Sequence, residues 1–121
     1  MATEGAIEWT LFEKIATPAD VLSSLVPGEE AVASFKTVRD SATITNKRLI
    51  VRDVQGIFGK KVEVYSVPWK SVDRFSYESA GMVDLDTEVE LWTRTGHYKL
   101  KVGKNIDTEW INKTLSEFML A

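Results

Sequence analysis

The chain has 121 residues, 44% of them hydrophobic and 27% charged, which fits one folded domain with one core and excludes a mostly disordered chain. It has no cysteine, so disulfides and thiolate metal sites are excluded, and a reducing, cytoplasmic setting is expected. A net charge of −3 and a pI near 5.2 argue against nucleic-acid binding, and the sequence has neither a long uncharged apolar run for a membrane span nor a basic start followed by an apolar run for a secretory signal.

The first residues, 1–6, read as a frayed tail. Ile7, Leu11 and Ile15, with Trp9 and Phe12, recur at helical spacing and predict a short amphipathic helix. Thr17 then suits an N-cap, Pro18 a first helical position and Asp20 a first turn. Val21, Leu22 and Leu25 supply the apolar face of this second helix, and Pro27-Gly28 ends it. Residues 1–27 are thus expected to be a helical extension, and residues 28–121 a β domain.

Strands follow. Ala31, Ala33 and Phe35 alternate with Val32, Ser34 and Lys36. After a turn at Val38–Ser41, Thr43–Asp53 reads as a tight hairpin. Asn46-Lys47 is its two-residue turn, because asparagine tolerates a positive φ. Leu49 and Val51 share one face of the return strand, and Arg48, Ile50 and Arg52 the other. Gln55–Gly59 is a loop. In the strand Lys61–Val67, Val62 and Val64 share a face. Pro68 interrupts the ladder. Asp73, Phe75 and Tyr77 mark a fifth strand, Thr87–Thr93 a sixth and Tyr98–Val102 a seventh. The closing helix is capped by Asn105 or Asp107 and carries the stripe Trp110, Ile111, Leu115 and Phe118.

Thr45-Asn46-Lys47-Arg48-Leu49-Ile50, together with Gly59-Lys60-Lys61-Val62-Glu63, Val67–Phe75 and Asp84-Leu85-Asp86, resembles the bacterial pleckstrin-homology-like family. The resemblance covers residues 28–120. It implies a mainly β fold, a partial barrel of about seven antiparallel strands capped by a C-terminal helix. It also implies ring-like homo-oligomers.

Catalytic signals are weak. His97 is the one histidine and sits in a turn, and no cysteine or second histidine completes a nucleophilic or metal set. Asp84, Asp86 and Glu88 read as a solvated strand start rather than a cation site. No glycine-rich phosphate cradle occurs. No cofactor, no metal and no enzymatic activity are therefore expected. Two binding surfaces remain. Lys36, Arg39, Arg52, Lys60 and Lys61 lie at strand ends that converge in a meander and form a candidate site for anionic lipid head groups. Against it, Ala42–Thr45 carries no cation, and Asp40, Asp53 and Glu63 stand among the bases. Trp92, Ile50, Ile57 and Phe58 are apolar residues on polar faces or loop tips and form a candidate oligomer interface. The N-terminal segment is the alternative cover for that face. The expected function is a non-catalytic binding or scaffolding module that self-associates. The alternative is a peripheral membrane adaptor.

Overall fold

The computed structural model describes residues 5–56, 61–79 and 87–121. Nine strands are present among them: β1 (Ile7–Leu11), β2 (Glu13–Ile15), β3 (Ala31–Lys36), β4 (Asp40–Thr45), β5 (Arg48–Gln55), β6 (Lys61–Pro68), β7 (Val72–Glu78), β8 (Thr87–Thr93) and β9 (His97–Val102). Helix α1 (Ala19–Leu22) is a single turn, and α2 (Thr108–Met119) closes the chain. The strands form two sheets, ordered β1-β9-β8-β7 and β2-β3-β4-β5-β6. All neighbours are antiparallel except β1 and β9, which run parallel.

The seven expected strands and the closing helix are present. The expected helix over residues 7–15 is not: that stretch is two strands, one in each sheet. Ile7, Trp9 and Leu11 satisfy a period of two as well as Ile7, Leu11 and Ile15 satisfy a helical one. Pairing with β9 decides for the strand, because Trp9 then stacks on Tyr98 at 5.8 Å and meets Tyr65 edge-on at 5.5 Å, while Leu11 is fully buried. The second expected helix shrinks to one turn, with Pro18 as its N-cap rather than its first residue. The N-terminal segment is therefore woven into the sheets rather than set ahead of them.

The inner faces enclose one core. Phe35, Ile44, Leu49, Val51 and Trp69 come from the five-stranded sheet and its corner, and Leu91, Leu100 and Val102 from the other. Pro68 ends β6, and a 3-10 turn over Trp69–Ser71 carries the chain to the second sheet. Trp69 is buried there, donates its indole N–H to the Thr45 carbonyl at 2.7 Å and stacks with Phe118 of α2. Asp107 caps α2 by accepting from the Trp110 amide, and Ile111 and Leu115 reach the core.

The hairpin turn forms without the expected positive φ, since no non-glycine residue has one among the described residues. The Thr45 hydroxyl instead accepts from the amides of Lys47 (3.0 Å) and Arg48 (2.9 Å). Asn46 is spent on a distant segment. Its Oδ1 accepts from the Glu30 amide, and its Nδ2 donates to the carbonyl of Gly28, whose φ of +82° turns the chain toward β3.

Because Ile111 is completely buried between α2 and the sheets, Ile111→Ala should lower unfolding free energy by about 2–5 kcal/mol. Urea denaturation checks this, with the slope unchanged and the midpoint reduced.

Candidate functional site

The outer face of the five-stranded sheet is crossed by residues 17–30, which act as a strap. Rows of side chains on that face run Lys36, Ser41, Arg52 and Ser34, Thr43, Ile50. Thr17 bonds Ser34 at 2.8 Å, and Ser34 bonds Thr43 at 2.7 Å, so these hydroxyls are satisfied as a chain under the strap. Asp20 of α1 pairs with Arg52 at 2.7 Å. At the other end Glu29, whose side chain has no exposure, takes two bonds from the Arg48 guanidinium (2.8 and 3.0 Å) and one from the Thr45 hydroxyl (2.7 Å). The hydrogen bonds from Arg48 outweigh the cost of burial, with help from Thr45 and the Val26 amide, and hold Glu29 down at about 2 against an ordinary 4.5.

The five candidate lipid-binding cations are only partly gathered. Lys36 and Arg52 flank Ser41 in one row and share a cleft of about 520 Å3 with Asp20 and Asp40. Arg52 is already committed: Asp40 and Asp20 each hold it at 2.7 Å, and both raise its pKa. Arg39 lies 4.0 Å from Asp53. Lys61 is exposed opposite Gln55 at the far end of β5, and Lys60 lies outside the described residues. Asp40 and Asp53 were visible in the sequence as neighbours of the bases. Asp20 was not, since only the path of the strap brings it to Arg52.

Of the candidate interface residues, Ile50 is corrected. It is 1% exposed, on the face that the strap crosses, and is available to no second molecule. Strap residue Val21 is buried with it, outside the main core cluster. Trp92 does lie on the charged outer face of the other sheet. It is half-buried between cross-strand neighbours, with Arg74 4.2 Å from its ring centre and His97 stacked at 4.8 Å. His97 in turn bonds Glu90 at 2.6 Å. Ile57, Phe58 and the acidic pair Asp84 and Asp86 lie outside the described residues. A more exposed apolar set sits elsewhere: Val62 (45%) and Val64 (57%) on the outer side of β6, with Leu22 and Val26 on the strap. The alternation that put both valines on one face was legible. Their exposure was not, because it depends on where the strap stops. Among the described residues no three potential metal ligands come together, and no helix is long and apolar enough to cross a membrane.

This two-sheet arrangement with a closing helix has relatives. The model of the bacterial PH domain family matches residues 4–119. The chain belongs to that family. A crystal structure of a DUF1696 family protein with a pleckstrin-homology domain from Shewanella loihica PV-4 superposes on this PH domain with a TM-score of 0.75 at 32% identity, covering 89% of this chain and 98% of that one. The uncharacterized Bacillus subtilis protein YjqA is 49% identical over 77 residues, which span 64% of this chain and 62% of YjqA. A second uncharacterized B. subtilis protein, YozO, is 34% identical over 95 residues, 78% of this chain and 82% of YozO.

The depressed Glu29 pKa fixes a pH dependence. Its stabilisation is complete above the ordinary value of 4.5 and is lost as pH falls toward about 2. Acid titration of stability should show this loss, on the order of 3 kcal/mol. Glu29→Gln should abolish that part of the acid slope and lower stability at pH 7 by a similar amount, read by urea denaturation at each pH.

Proposed function

We propose that this PH domain is a non-catalytic binding module that works as a homo-oligomer, and that copies meet along β6. The observation that carries the reading is the exposure of Val62 and Val64 on an eight-residue strand at the edge of its sheet. Strand β6 is bonded to β5 on one side, and no described strand pairs with the other. A long edge with unpaired backbone groups and apolar side chains favours association with another chain. The other sheet ends in a comparable edge, the seven-residue β7. Apposing β6 of one copy to β7 of the next gives a head-to-tail contact, which closes into a ring when the rotation per step divides the circle.

The alternative role at anionic lipid surfaces has less support. Arg52 is occupied by two carboxylates, Arg39 stands beside a third, and the net charge is negative.

Light scattering coupled to gel filtration tests the reading. The parent should run as a defined multimer. Val62→Lys with Val64→Lys should raise the concentration needed for assembly by about tenfold or more, since two ammonium groups would then have to leave water in an apolar contact, while circular dichroism stays unchanged. A parent that is monomeric at all concentrations overturns self-association. A double variant that assembles like the parent places the contact elsewhere.

A further inference from the structure

A second surface lies where the two sheets meet at the corner after β6. The 3-10 turn and the β8–β9 turn face each other across a cleft of about 480 Å3. Its lining includes Lys70 from the first turn, Arg94 and Thr95 from the second, and Pro68, Asp73 and Tyr98. Among the described residues Arg94 differs from the other arginines. Of the five arginines, Arg39, Arg48 and Arg52 lie against carboxylates and Arg74 lies over Trp92. Arg94 and Lys70 are exposed and, among the described residues, join no ion pair or hydrogen bond through their side chains. The hydroxyls of Thr95 and Tyr98 and the carboxylate of Asp73 are likewise unengaged among those residues.

We infer that this cleft, with Lys70 and Arg94 as its two cationic jaws, is a docking site for an acidic peptide segment of a partner protein. The guanidinium fork of Arg94 matches a side-chain carboxylate in two-pronged fashion, and Lys70 adds a point charge across the gap. A peptide also brings amide donors for Asp73 and carbonyl acceptors for Thr95 and Tyr98, so each free polar group of the cleft has a complement. Pro68 and the ring of Tyr98 offer apolar walls to the methylenes of an acidic side chain. Asp73 disfavours a compact dianion such as inorganic phosphate, which would meet its charge with no donor to offer. The site goes beyond self-association and involves neither Val62 nor Val64.

The test uses the full chain and a fluorescently labelled, acetylated tetraglutamate peptide, with the tetraglutamine peptide as control, by fluorescence anisotropy at low and moderate salt. The glutamate peptide should bind more tightly than the glutamine peptide and weaken with salt. Lys70→Glu and Arg94→Glu should each weaken it by about tenfold or more, the loss of one charge-assisted contact. Lys113→Glu on the exposed side of α2 serves as the control for overall charge and should change it little. Equal binding of the two peptides overturns the proposal. So does an equal loss in Lys113→Glu, which would mean diffuse attraction. Displacement by millimolar phosphate at constant ionic strength would make the cleft a simple anion site and also overturn it. Repeating the titration in the Val62→Lys, Val64→Lys variant separates this site from assembly. Retained peptide binding in a dissociated protein supports the cleft, and loss there makes the site one that only assembled copies present and overturns its assignment to the single chain.

Discussion

The turn between β4 and β5 is the joint on which the other parts converge. The Thr45 hydroxyl accepts two amides of its own turn and donates to Glu29, while its carbonyl receives the indole N–H of Trp69. The Lys47 carbonyl holds the Trp69 amide, and the Asn46 amide and side chain hold Glu30 and Gly28. One four-residue turn thereby secures the hairpin, the end of the strap and the corner that leads into the second sheet. The Thr45 hydroxyl, its carbonyl and the Trp69 indole are buried, so removing one partner there strands the others, which is costlier than the bond itself.

The strap explains the electrostatics of the sheet it covers. Two arginines on the outer side of β5 are answered by acids from the strap, Glu29 for Arg48 and Asp20 for Arg52. Between them Ile50 and the hydroxyls of Ser34 and Thr43 are taken out of solvent. A face that alternates arginine, isoleucine and arginine is thus a seat for the chain's own N-terminal segment. Its two arginines are paired within the chain, and the exposed valines of this sheet lie at its margin on β6.

The same logic separates the remaining surfaces. On the four-stranded sheet several charges pair with one another, as Lys99 with Glu88 and Lys101 with Glu8, and His97 bonds Glu90. Charges satisfied in this way gain little from a partner, because each new contact replaces an old one. Among the described residues the exposed apolar valines of β6 and the unpaired Lys70 and Arg94 at the corner beyond it stand apart from these pairs. The valines lie on the edge of a regular sheet, and the two cations are carried on turns.

The sequence by itself determined what local forces control. The Thr43–Asp53 hairpin, the break at Pro68, a cap at Asn105 or Asp107 and the apolar stripe of α2 were legible because each depends on residues a few positions apart. The family and the closing helix followed from them. The tertiary structure alone decided the fate of Ile7–Ile15, whose apolar spacing suits a helix and a strand equally. Its strand state comes from β9, at the other end of the chain, which supplies both backbone partners and the Tyr98 ring. It also decided the candidate sites. Ile50 reads equally as an interface residue or as one covered by the N-terminal segment, and Arg52 as a base among acids, until Asp20 and Val21 are laid over that face; no periodicity in the sequence encodes where a strap will lie. Burial and ion pairing belong to the meeting of distant segments, so the residues that remain open for binding emerged only once those meetings were made.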